Sequence, residues 1–257
     1  MKKKFLNILK KKNKTKIVCL TSYSKNISKI IDKYCDITLV GDSLANVLYG
    51  MENTHKVSLG MMINHAKSVR KGVKKSLMVV DMPKGSYKNT KEALKNAKKI
   101  IKETKCDAIK IESNKKNYNI IKNLVKSKIQ VMGHIGFTPQ FKKKFNIEGN
   151  DYASKRKLIK EALEIERAGS FSIVLECIKK DTSKKISEIL KIPTIGIGSS
   201  INCDGQVLVT DDLLGMSGFY PRFVKKYANL NFLIEKAVQR YSKDVKNKNF
   251  PKSKNSF

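Results

Sequence analysis

The chain has 257 residues, 40% of them hydrophobic, and 54 Lys+Arg against 22 Asp+Glu give it a formal net charge of +32. That length and apolar content support one large domain with a full core, and no apolar run approaches the roughly 18 residues that cross a bilayer. Five dispersed cysteines with no CxxC pair argue against a disulfide framework or a cysteine zinc site.

The chain opens on MKKKFLNILKKKN, which is basic but too short and too interrupted by Lys to be a secretory signal, so the expected compartment is the cytoplasm. Apolar, β-branched runs then alternate with Lys-rich amphipathic segments. The predicted strands are KIVCLTSY (16–23), DITLVGDS (36–43), SLMVVDM (76–82), AIKIES (108–113), QVMGHIGF (130–137), FSIVLEC (171–177), PTIGIG (193–198) and QVLVTDD (206–212). Helical spacing of Ala93, Leu94, Ala97, Ile100 and Ile101 predicts a helix over 91–105; Leu158, Ala162, Leu163 and Ile165 predict another over 155–168. Cys19, Cys35 and Cys106 lie in or beside apolar runs and read as small core residues. Residues 140–152 (QFKKKFNIEGNDY) read as a long loop.

Strands apolar on both faces and separated by helices imply a parallel sheet. Eight such units in a chain of this length fit a single-domain α/β fold, the (β/α)8 TIM barrel. The competitor is a doubly wound open sheet, which usually has fewer strands and often a glycine-rich first turn that is absent here. The barrel is expected over 1–242, with a polar, Lys-rich tail over 243–257. The charge itself has two readings. One is an anionic partner, nucleic acid or membrane surface. The other, favoured, is a compositional bias: Lys is spread over the whole chain, without the concentration of Arg and aromatics that nucleic-acid surfaces carry. No specific nucleic-acid partner and no membrane association are expected.

Several apolar runs end on acids: Asp42, Asp81, Glu112 and Glu176. In a parallel barrel the C-terminal strand ends build the active site, so these acids converge at the mouth. Clustered carboxylates raise one another's pKa unless a cation sits among them. Hard oxygen donors without paired His or Cys favour Mg²⁺ over zinc. Lys110 and Glu112 are two apart on one strand and face the same side. Each residue alone has a plainer reading: a helix or turn cap for Asp42, an ion pair for Lys110 or Glu176, a satisfied core histidine for His134 in GHIGF. Only convergence lifts them, to a barrel enzyme with a divalent-metal site.

LVGDSLANVLYG, the H-x-x-x-V-R-x-G pattern at His65 to Gly72, VVDMPKGSY, IKIES, GHIGFTPQ, VLECI, IPTIGIGSS and CDGQVLVTDDLLG follow one another in order from TSYS at 21–24 to the segment starting at Pro221. Together they resemble the ketopantoate hydroxymethyltransferase family over nearly the whole length. The resemblance implies a (β/α)8 barrel, usually a homodecamer, that needs Mg²⁺. It implies transfer of a one-carbon unit from 5,10-methylenetetrahydrofolate to 3-methyl-2-oxobutanoate, giving 2-dehydropantoate on the route to pantothenate and coenzyme A. Carried over by position, the metal ligands are Asp42, Asp81 and Glu112. The 2-oxo acid contacts are Asp42, Ser43, Asp81 and Lys110, with His134 at an active-site position. The base is Glu176. Four departures stand out: Ser113 and Asn114 follow IKIE in place of paired glycines, the loop after TPQ is short and lacks Gly-Gly, Lys84 replaces a common Phe, and GIGSS stands for GIGAG. None is at a metal or base position. The rival readings are a Mg²⁺-dependent lyase or aldolase of 2-oxo acids on a related barrel, and a basic RNA- or membrane-surface-binding protein that has lost catalysis.

Overall fold

A computed structural model describes residues 2–113, 117–142, 145–218 and 220–257. Asn114 and residues 143–144 of the expected loop lie outside the described residues. The chain divides into two compact units, Met1–Val209 and Thr210–Phe257.

The first unit carries a closed barrel of eight parallel strands in sequence order. They are β1 (Ile17–Thr21), β2 (Ile37–Val40), β3 (Leu77–Asp81), β4 (Ala108–Glu112), β5 (Val131–Gly136), β6 (Ser172–Glu176), β7 (Thr194–Ile197) and β8 (Gly205–Leu208). Helix α1 (Lys2–Lys10) precedes β1. Between strands lie α2 (Lys25–Ile31), α3 (Leu44–Val47), α4 (Leu59–Gly72), α5 (Thr90–Thr104), α6 (Tyr118–Lys126), α7 (Tyr152–Arg167) and α8 (Lys180–Ile189). The second unit holds α9 (Thr210–Leu214) and α10 (Leu230–Lys246), and α10 buries none of its residues.

The barrel fold and the strand order match the sequence reading. The two helices read from apolar spacing, α5 and α7, start at their caps and not at the first apolar residue. Asn89 accepts from the Glu92 N–H and starts α5; Asp151 accepts from the Ser154 N–H and starts α7 three residues earlier than the apolar period indicates. The predicted strand over 206–212 is corrected at its end. The strand stops at Leu208, and Thr210-Asp211-Asp212 instead opens α9, where acidic side chains favour the positive end of a helix. All five cysteines are free and buried.

Two apolar layers follow from period-2 alternation. Ile37, Leu39, Leu77, Val79, Ala108, Met132, Val174 and Ile195 pack with Phe5 and Ile8 of α1 in one cluster, the barrel interior. Val40, Met78, Val80, Ile109, Ile111, Ile135 and Ile173 pack with the helices in the other. Alternation then places the next inward positions. Asp81 has the parity of Leu77 and Val79, Lys110 and Glu112 that of Ala108, His134 that of Met132, and Glu176 that of Val174. Where α4 meets α2, a Cβ on Gly72 would come 2.0 Å from Ser28 Oγ and 2.5 Å from the Lys25 carbonyl oxygen, which explains the small residue closing the His65 pattern.

Candidate active site

Strand register brings the inward side chains level. Asp81 pairs with Lys110, Glu112 with His134, and Gly136 with Glu176. Gly136 has φ +98°, and a Cβ there would stand 2.1 Å from the Glu176 carbonyl oxygen, so only glycine lets β5 and β6 approach at this level. Directly after Glu176 the chain turns through a left-handed Cys177, φ +51°.

Six expected residues form one connected group. Lys110 Nζ lies 3.0 Å from Asp81 Oδ1. The Asp42 N–H donates to Asp81 Oδ2 at 3.1 Å. Lys110 Nζ stands 3.4 Å from His134 Nδ1. Glu112 Oε1 is 3.8 Å from the same nitrogen. On the far side of the ring, Nε2 faces Glu176 Oε2 at 3.2 Å. Ser43, the seventh, makes no helix-cap bond at the start of α3; its hydroxyl is 2.8 Å from the Tyr23 hydroxyl.

Electrostatics follow from burial among like charges. Burial first, and the Asp81 carboxylate second, push Asp42 up to about 7. Burial, then Asp42, raise Glu112 well above the usual carboxylate range. Burial works to discharge Lys110, but Asp81, Asp42 and Glu112 outweigh it, and its pKa is raised. Lys110 is an ammonium at any physiological pH. Burial and then Lys110 lower His134, so its ring is neutral near pH 7. Lysine can only donate, so Nδ1 facing it is the lone-pair nitrogen and the ring hydrogen sits on Nε2, which stands 3.2 Å from Glu176 Oε2 without the alignment of a hydrogen bond. Glu176 is the most open acid of the set: its side chain is 19% exposed, against 1% for Glu112 and 3% for Asp81.

Three buried carboxylates face one ammonium, so the pocket lacks positive charge. Among the described residues no three His, Cys, Asp or Glu groups stand together as a ready ligand cage. The donor chemistry nonetheless fits Mg²⁺, which is held by one or two carboxylates with water and substrate completing the shell.

Sequence reasoning missed Gln140, Tyr87 and Tyr23. The Gln140 side chain donates to Asp42 Oδ2 at 2.8 Å and to the Met82 carbonyl at 3.0 Å, while its backbone N–H donates to Glu112 Oε2 at 2.9 Å. The Tyr87 hydroxyl donates to Gln140 Oε1. All three lie inside quoted motifs (TPQ, KGSY, TSYS), but nothing in their local pattern separates them from turn or core residues. His65 lies outside the acid group. Its ring is 2.8 Å from the Tyr23 carbonyl and 3.0 Å from the Tyr49 hydroxyl, fastening the loop after β1.

A family model described as ketopantoate hydroxymethyltransferase matches residues 2–253. A protein of Pelagibacter ubique named 3-methyl-2-oxobutanoate hydroxymethyltransferase is 56% identical over all of both chains. One of the same name from Chelativorans is 43% identical over 98% of this chain and 91% of its own. Among solved structures, a phosphonopyruvate hydrolase superposes with TM-score 0.65 at 8% identity over 98% of this chain and 90% of that one. A 2,3-dimethylmalate lyase superposes with TM-score 0.62 at 13% identity over 96% and 89%. These two likenesses concern the fold.

Proposed function

The chain belongs to the ketopantoate hydroxymethyltransferase family, and from that premise we propose that it transfers a hydroxymethyl group from 5,10-methylenetetrahydrofolate to 3-methyl-2-oxobutanoate, forming 2-dehydropantoate for pantothenate and coenzyme A synthesis. The observation that carries the reading is the connected group Asp42–Asp81–Lys110–His134–Glu176 at the barrel mouth. Asp42, Asp81 and Glu112 would hold Mg²⁺. When bound, the ion supplies Lewis-acid polarisation of the substrate's keto oxygen.

The chain's own residues do the rest. Lys110 and Ser43 bind and orient the carboxylate of the 2-oxo acid, with Lys110 as permanent positive charge in a dry pocket. Glu176 removes the C3 proton. The neutral His134, with its protonated Nε2 beside Glu176, offers no competing proton acceptor on that side. As the C3 proton leaves, negative charge spreads onto the keto oxygen near Lys110. Water releases the one-carbon unit from 5,10-methylenetetrahydrofolate as formaldehyde, breaking both C–N bonds of the methylene and leaving tetrahydrofolate. The C3 carbon then bonds to the formaldehyde carbon as its C=O π bond opens, and the resulting alkoxide takes the proton held on Glu176 to give the hydroxymethyl group. We place the enzyme in the cytoplasm as a homodecamer; no described helix is long and apolar enough to cross a membrane.

A 2-oxo acid lyase or aldolase would use the same acids without folate. Product analysis with and without methylenetetrahydrofolate, each with and without Mg²⁺, separates the two. Product that requires both supports the transferase; cleavage of a 2-oxo acid without folate overturns it.

A further inference from the structure

We propose that Gln140 is a positioning residue that sets the two carboxylates Asp42 and Glu112 for a cation, with Tyr87 selecting the orientation of its amide. The inference rests on the metal reading above. Gln140 is 1% exposed and lies on the segment after β5, yet it reaches the ends of three other strands. It meets Asp42 beyond β2, Met82 at the end of β3 and Glu112 at the end of β4.

The amide has one tolerable orientation. The Met82 carbonyl can only accept, so the NH₂ group must face it, and the same group then donates to Asp42. The carbonyl oxygen is left to the Tyr87 hydroxyl. A flipped amide would set its oxygen against two acceptors and leave buried groups unpaired. Oriented this way, Gln140 pins Asp42 Oδ2 through its side chain and Glu112 Oε2 through its backbone. Among the described residues, Asp42 Oδ1 and Glu112 Oε1 are the oxygens left for a cation. A lysine or arginine could hold the same two acids, but it would neutralise them and displace the ion. A neutral donor orients the carboxylates and leaves their charge for the metal, the usual work of partners behind metal ligands.

The test uses Gln140→Met, of similar length without polar atoms, and Tyr87→Phe, in the full chain. Mg²⁺ and Mn²⁺ affinity is read by calorimetry, stability by Tm, and the Asp42 and Glu112 rotamers by crystallography. Gln140→Met is expected to weaken metal binding by about 10–100-fold and to raise the Mg²⁺ concentration for half-maximal activity. Tyr87→Phe is expected to do the same to a smaller degree. Wild-type affinity in folded Gln140→Met, or a fall in Tm with affinity unchanged, overturns the proposal. If Gln140→Met does not fold, unchanged affinity in Tyr87→Phe overturns it. Asp81→Ala is the control for the metal reading. If the wild type binds no divalent ion, that reading fails, and the positioning proposal is decided by the Asp42 rotamer, whose bond to the Gln140 side chain is the one these variants disturb: a displaced Asp42 in Gln140→Met, or in Tyr87→Phe should Gln140→Met not fold, supports it, and an unmoved one overturns it.

Discussion

The two ends of the barrel use the same carboxyl chemistry to opposite effect. At the N-terminal end, aspartates face backbone N–H groups. Asp32 accepts from the N–H groups of Lys74, Lys75 and Ser76 and from the Ser76 hydroxyl. Asp204 accepts from Lys12 Nζ and from the N–H groups of Asn13 and Thr194. Asp36 accepts from the Val18 N–H and Asp107 from the Met78 N–H. Burial would raise Asp32 and Asp204, but these donors outweigh it and both are held below the usual range. At the C-terminal mouth the acids face one another, and Asp42 and Glu112 are raised. The lesson is that the partner, not burial, sets the role. The first N–H groups of a strand need acceptors, so an aspartate there stabilises the fold. The mouth offers four acids one lysine, a histidine and a glutamine, and remains short of positive charge.

Asp32 and Asp204 have depressed folded pKa values, so their contribution is fully present above the unfolded value, near 3.9, and is lost as pH falls through the folded values.

The largest expected effect breaks the mouth alone. Glu176→Gln keeps shape but removes the base, and both product formation and folate-independent exchange of the substrate's C3 hydrogen with D₂O should fall about 10²–10⁴-fold, with Tm near wild type. His134→Asn should retain more exchange. Wild-type exchange in Glu176→Gln with none in His134→Asn would make His134 the base.

Next, Asp42→Ala and Asp81→Ala should each weaken Mg²⁺ binding by more than about tenfold, since loss of a ligand should exceed the lower bound for loss of a supporting partner. Calorimetry decides it, and wild-type Mg²⁺ dependence in both variants would remove the metal from this end. The opposite end should respond in the opposite currency. Asp32→Asn and Asp204→Asn put an amide against backbone donors and should cost about 1–3 kcal/mol each, seen as a Tm lowered by several degrees with Mg²⁺ affinity unchanged. Their acid-unfolding limb below about pH 4 should also be flatter than wild type, because a titrating group is gone. A drop in metal affinity without loss of Tm would erase the distinction between the ends.

The smallest effect concerns the surface. If the +32 charge is spread and belongs to neither end, binding to nucleic acid should be weak, indifferent to sequence and steeply reduced by salt in a filter or fluorescence titration. Tight, sequence-selective binding at physiological salt would contradict it.

Much of the site was legible in the chain because β parity is short-range. Once AIKIE is a strand, Lys110 and Glu112 must share a face, and apolar runs ending in Asp81 and Glu176 mark one end of a parallel barrel. The bottom aspartates left a fainter trace: Cys-Asp recurs just before β2, β4 and β8, at Asp36, Asp107 and Asp204. The end of β8 was misread because Val207, Leu208 and Val209 continue the β pattern, while the stop comes from the helix start at Thr210.

By itself, then, the sequence determined eight strands, their order, and which side chains point inward, because alternation and βα connectivity are local. Tertiary structure alone decided that Gln140, separated from Asp42 by 98 positions, would bond its carboxylate, that Tyr23 would meet Ser43, and that His134 would stand between Lys110 and Glu176. Those contacts arise from barrel closure and register, which bring distant loops to one mouth, and no spacing within a single segment encodes a distance across it.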